Sequence, residues 1–185
     1  MQTTFEKVAQ LNTAFGNPKG DLSNPNVQAI RKQAMLCLEE AIEMVEAAHP
    51  GKIVKWEFTG NKLDEGVYLP GIMDAQGDLT TVNDGVAHIA GFDGNAVYQA
   101  VHESNMTKFC KTSEEVSDAL DWYFNNTGFM PGDIAAYGQY PFVAIKVVQD
   151  IKLDGKFYPA GKFLKNMLCF KEPDFSDLLL PKVTE

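Results

Sequence analysis

The chain has 185 residues, 45% of them hydrophobic, with 16 basic and 25 acidic side chains and a formal net charge of −9. That length fits one domain, or one domain with an appendage, and the apolar fraction is enough to fill a core. A charge of this sign argues against a nucleic-acid backbone or an anionic membrane as partner, although a negative chain can meet a polyanion through metal ions.

The first residues, MQTTFEKVAQLNTAF, lack the apolar core of a signal peptide. They place Phe5, Val8, Leu11 and Phe15 at helical spacing up to Gly16. The turn-rich stretch NPKGDLSNPN follows. A longer helix is predicted over 26–48, with Ile30, Met35, Leu38, Ile42 and Val45 on one apolar side, stopped by His49-Pro50-Gly51. Residues 51–70 fit a short hairpin or a loop carrying Trp56 and Phe58, and helical patterns return over 72–90 and 95–109. Thr112 and Glu115 form a capping-box pattern that opens a helix over 113–124. From residue 140 the texture changes. FVAIKVV reads as a strand, IKLDGKFY as a hairpin with an Asp-Gly turn, and KEPDFSDLLLPKVTE as a surface extension. The expected fold is mainly α: a helical domain over 1–125, with a small β-hairpin appendage and tail over 126–185.

Within the long helix, Glu39, Glu40 and Glu43 stand without a basic residue three or four positions away. On a helix Glu39 and Glu43 lie about 40° apart, and Glu40 and Glu43 about 60°. A solvated acidic face is the ordinary explanation, but such faces usually carry basic partners. Here the neighbours are Met35, Leu36, Cys37, Ile42, Met44 and further glutamates, on a helix whose pattern looks largely buried. A multivalent cation would remove the conflict, and oxygen donors without nearby His or Cys select Mg2+ or Mn2+ over zinc. Asp74 and Asp78 repeat the motif at i, i+4, again without a base. Asp74 could equally cap a turn.

EEAIE (39–43), DAQGD (74–78) and VHESNMTKF (101–109) in that order, with FEKVAQLNTAFG (5–16) and KFLKNMLCFKEPDFSDLL (162–179), resemble the all-α nucleoside triphosphate pyrophosphohydrolases. This is the MazG-like superfamily with its phosphoribosyl-ATP pyrophosphohydrolase (HisE-like) branch, and a phage-type, MazZ-like subgroup in particular. The first stretch matches the family's EExxE motif. The second departs from its ExxD motif, with Ala75 where that Glu would stand.

The resemblance implies a helical bundle of that type, hydrolysis of a (d)NTP to (d)NMP and pyrophosphate, two or three Mg2+ or Mn2+ ions, and a homodimer or homotetramer. It makes Glu40, Glu43 and Asp78 core metal ligands. Glu39 and Asp74 complete a second site or position the attacking water, so Glu39 and Glu43 stand nearest the chemistry. Asn105 and Lys108 are candidates for phosphate or sugar contacts, and Lys165 for closing over the phosphates. Asn12 either reads a base edge or caps a local contact, His102 is structural or functional, and Trp56 is core or a base-stacking residue. A purine deoxynucleotide, dGTP first, is the expected substrate. The alternatives are dUTP or dCTP house-cleaning, or a nucleotide- or metal-binding protein without turnover.

Three well-separated cysteines, Cys37, Cys110 and Cys169, without a CxxC, fit a reducing compartment. No run reaches the roughly 18 apolar residues of a membrane span. A cytoplasmic protein is expected, in a host cytoplasm if phage-encoded, without nucleic acid or membrane as partner.

Overall fold

The computed structural model describes residues 2–59 and 66–179. It is mainly helical with a small β element. The order is α1 (Thr4–Ala14), α2 (Val27–Ala48), α3 (Leu69–Ala90), α4 (Gly94–Met106), α5 (Ser113–Asn126), β1 (Ile134–Tyr137), β2 (Ala144–Val147), β3 (Ile151–Leu153), β4 (Lys156–Tyr158), β5 (Phe163–Leu164) and α6 (Ser176–Leu179). No described helix is long and apolar enough to cross a membrane.

Several of the helices start where a side chain satisfies free backbone donors. Thr3 and Glu6 form a reciprocal capping box on α1, Asn26 accepts from the Ala29 N–H ahead of α2, and Asp93 accepts from Asn95 and Ala96 ahead of α4. Thr112 caps α5 through the Glu115 N–H at 3.2 Å. The predicted box is displaced by one residue, since the Glu115 carboxylate accepts from the Lys111 N–H at 2.7 Å rather than from Thr112. Thr112→Ala should cost about 1 kcal/mol of stability, measured by urea denaturation.

By contacts the chain falls into two compact groups, Met1–Lys19 with Thr81–Glu185, and Gly20–Thr80. The expected boundary at residue 125 falls between α5 and the strands that α5 packs on. In the first group β1, β2 and β5 form an antiparallel sheet in the order β1-β2-β5, and β3 pairs with β4. The Asp154-Gly155 turn of that hairpin has φ of 49° and 81°, the left-handed pair that a two-residue hairpin needs. Strands β1 and β5 are additions to the expected β element.

Strand β2 is central, and its alternation serves two faces. Ile145 and Val147 join Ile134, Val143 and Leu164 against Ala119 and Tyr123 of α5. Tyr123 keeps its hydroxyl satisfied in this core by donating to the Lys165 carbonyl at 2.8 Å, and burial pushes its pKa up to about 12. Lys146 stands opposite Phe163 in the register. Its ammonium donates to the Phe15 carbonyl at the end of α1, at 2.6 Å. Around that contact Phe15, Phe109 and Phe163 pack with ring centroids 4.8–5.4 Å apart.

Two expectations do not hold. The sequence pattern makes α2 look buried on much of its circumference, yet no residue of α2 is buried and α3 buries only Ala87. The core lies instead around α5 and the sheet. The segment read as a surface extension is held at its start, because Ser104 donates from Oγ to the Lys171 carbonyl at 2.8 Å and Pro173, Phe175 and Leu178 are half-buried. Residues 180–185 of that tail, and 60–65 of the stretch read as a hairpin or loop, lie outside the described residues. The flanking residues 52–59 form neither helix nor strand.

Candidate functional site

The acidic residues lie on α2 and α3. Glu39, Glu40 and Glu43 are all exposed, as are Asp74 and Asp78. Their side chains form no ion pair or hydrogen bond with the described residues. Leu36 (41% exposed), Met44 and Val45 stand beside the glutamates, and Ile72, Met73 (57% exposed) and Leu79 beside the aspartates. Glu46, one turn further on α2, is engaged differently, its carboxylate accepting from the Val54 N–H at 2.8 Å. Among the described residues of the single chain, no group of three or more His, Cys, Asp or Glu side chains is arranged to hold a metal ion. By chemistry the donor set suits a hard divalent cation, being all carboxylate, solvent-accessible and without a competing cation among the described residues.

The second constellation is built by α4 and the tail. At the end of α4, Thr107 donates from Oγ1 to the Ser104 carbonyl at 2.7 Å and accepts from the Lys171 N–H at 2.9 Å. The Asn166 N–H donates to the Lys108 carbonyl at 2.9 Å. The small polar residues of SNMTK are thus consumed in clamping the segment 165–171. That clamp brings three predicted substrate residues together. Lys108 donates from Nζ to Asn105 Oδ1 and lies 5.7 Å from the centroid of the Phe170 ring, over which Lys165 also sits, at 3.8 Å. An ammonium over an aromatic face gains about 0.5–1 kcal/mol at an exposed site. Lys165 also reaches Glu172 at 3.9 Å, an exposed pair worth at most about 1 kcal/mol. Two ammonium groups over one ring, one of them held by the Asn105 amide, suit an anionic ligand such as a phosphate.

Spacing does not point to Phe170 or to Asn166, which is 1% exposed. Asn166 accepts through Oδ1 from the Leu168 and Cys169 N–H groups at 3.2 and 3.3 Å, and its place inside the otherwise apolar NMLCF is the one signal that marks it. Cys110 lies beside its side chain, and burial pushes that thiol up to about 11.

The other candidate residues are placed elsewhere. Asn12 donates to the Val8 carbonyl at 3.1 Å and accepts from the Asn17 side chain at 3.2 Å, so its amide closes the end of α1. His102 stacks on Tyr98 with ring centroids 6.1 Å apart. Burial first, then the Lys7 ammonium, lower its pKa below the ordinary value. Protonation therefore favours the unfolded chain, whose imidazole titrates near about 6.5. The contribution of His102 is present above that pH and is lost as the pH falls through the lower folded value. His102→Gln should flatten the fall in melting temperature between about pH 7 and pH 5, read by thermal melts.

No family model matches the chain, and no solved structure matches it significantly. Over 129 residues it is 33% identical to an uncharacterized protein of Acanthamoeba polyphaga mimivirus, an alignment covering 65% of this chain and 46% of that protein. The chain therefore spans less than half the length of that relative.

Proposed function

We propose that this chain is a divalent-metal-dependent nucleoside triphosphate pyrophosphohydrolase that opens the bond between the α and β phosphates, with dGTP as leading substrate. One observation carries the reading. Glu39, Glu40 and Glu43 crowd one helix with no counter-charge among the described residues, beside exposed apolar side chains. Such a face costs about 0.2–0.5 kcal/mol for each like-charge pair. It becomes sensible when helices of further copies cover the apolar positions, in a homodimer or homotetramer, and a cation neutralises the carboxylates.

Glu40, Glu43 and Asp78 would hold Mg2+ or Mn2+, with Glu39 or Asp74 accepting a proton from the attacking water. When bound, the ion supplies charge neutralisation and a more acidic water. Asn105, Lys108 and Lys165 would take phosphate oxygens, positioning rather than forming a covalent intermediate. Lys108→Ala and Lys165→Ala should each raise KM by roughly ten- to a hundredfold with a smaller change in kcat, each removing a charge-assisted contact of about 1.5–3 kcal/mol.

The test is pyrophosphate release from eight ribo- and deoxynucleoside triphosphates, in Mg2+ and in Mn2+, coupled to a pyrophosphatase. Release led by dGTP is expected. Release led by dUTP or dCTP moves the reading to house-cleaning. Binding without release from any of the eight overturns hydrolysis in favour of a nucleotide-binding protein, the outcome that Ala75 in the second motif would explain.

A further inference from the structure

The segment Lys52–Thr59, KIVKWEFT, is one of the most apolar exposed stretches in the molecule, with Ile53 81% and Phe58 83% exposed and Trp56 also exposed. Trp56 and Phe58 touch edge to face at 5.2 Å. Contact between residues two apart is what an extended chain gives, with Val54, Trp56 and Phe58 on one face and Ile53, Lys55 and Glu57 on the other. The peptide groups also alternate in direction. The Val54 N–H is taken by Glu46 of α2, so the polar groups of Ile53, Lys55 and Glu57 point to the opposite edge. There they bond to nothing among the described residues. An extended apolar segment that meets α2 on one edge, through the Val54 N–H, and whose other edge has no partner among the described residues is a template for strand pairing on that free edge.

We propose that this open edge pairs antiparallel with the same segment of a second copy, about a two-fold axis at Trp56. The sequence selects that partner and that register. With the axis at Trp56, Lys55 faces the partner's Glu57 and Glu57 faces the partner's Lys55. Trp56 meets its own copy, and Val54 meets the partner's Phe58. Lys55 and Glu57 then fall at hydrogen-bonded pairs, as the free edge requires. The aromatic residues fall at the non-hydrogen-bonded pairs, where side chains come closest. Moving the axis to residue 55 or 57 sets lysine against lysine or glutamate against glutamate, and parallel pairing in register stacks like charges. A self-complementary patch of this kind closes as a two-fold dimer. The contact is separate from the apolar face of α2, and it does not depend on hydrolysis.

The experiment uses the full chain and a charge swap read by sedimentation equilibrium. Lys55→Glu alone, and Glu57→Lys alone, place like charges opposite each other on both sides of the axis and should each weaken self-association roughly tenfold. The double variant restores both pairs and should recover the wild-type association. In a Cys37→Ser background, Trp56→Cys should cross-link two copies under mild oxidation, because residues at such a pair stand about 4.5 Å apart. A wild-type chain that stays monomeric overturns the proposal. So does an oligomer whose association is indifferent to both single swaps, or a Trp56→Cys oligomer that does not cross-link, since the copies would then meet elsewhere or meet in another register.

Discussion

Glu43→Gln is expected to abolish pyrophosphate release while leaving the helix content and the melting temperature unchanged or slightly raised. The expectation separates two meanings of the acidic face. If Glu43 were a solvated surface residue, removing its charge would change nothing in activity. It would only relieve α2, since like charges at i, i+4 on an exposed helix cost about 0.2–0.5 kcal/mol. Glu and Gln are near equal in helix propensity, and Glu43 is exposed and bonded to no described side chain, so the substitution carries no folding penalty of its own. If Glu43 holds a catalytic cation, the loss should exceed about a hundredfold, because even outer-shell partners of a metal are worth about 10–100-fold. Glu114→Gln, at an exposed position in the first turn of α5, is the control and should retain full activity. Pyrophosphate release by Glu43→Gln at the wild-type rate, in Mg2+ and in Mn2+, would remove Glu43 from the chemistry.

What is legible in the sequence is local. The period of 3.6 locates α1 through α5, and Asn26, Asp93 and Thr112 begin their helices for reasons visible within four residues. The Asp154-Gly155 turn fixes the β3–β4 hairpin in the same way. What escapes depends on the rest of the chain. Strands β1 and β5 are four and two residues long and gain their identity only by pairing with β2. The stripe of Ile30, Met35, Leu38, Ile42 and Val45 on α2 is periodic as a helix requires, but periodicity says that a face needs covering and not what covers it. In the single chain Val45 remains 45% exposed. The phosphate candidates divide similarly. Asn105 and Lys108 are neighbours on one helix end and group together from sequence, whereas Lys165 joins them only because Ser104, Thr107 and the Lys108 carbonyl bind the backbone of the tail. No spacing rule contains that contact.

Phe109→Ala is expected to destabilise the chain by about 3–5 kcal/mol, a large part of the roughly 5–15 kcal/mol that holds a domain together. Phe109 is fully buried, and its ring meets those of Phe15, Phe163 and Phe142 at 5.1, 5.4 and 6.3 Å. Those rings come from the end of α1, from β5 and from the loop before β2, so truncation opens a cavity where three parts of the fold meet. The surroundings can collapse only partly. Phe15 is held by the Lys146 ammonium on its carbonyl, and the next residue, Gly16, has a φ of 83°. Cys110 is pinned by two hydrogen bonds with Val143, at 2.8 and 3.0 Å. Phe109→Leu retains most of the apolar volume and should cost less than half as much. The residue also lies between Lys108 and Cys110, so its loss loosens the segment that carries the Lys108 carbonyl to Asn166. A second consequence can therefore be measured below the melting temperature: protection of the Asn166 amide from hydrogen exchange should fall in Phe109→Ala and persist in Phe109→Leu. Equal protection in both variants would mean that the clamp on residues 165–171 stands independently of the aromatic cluster beneath it.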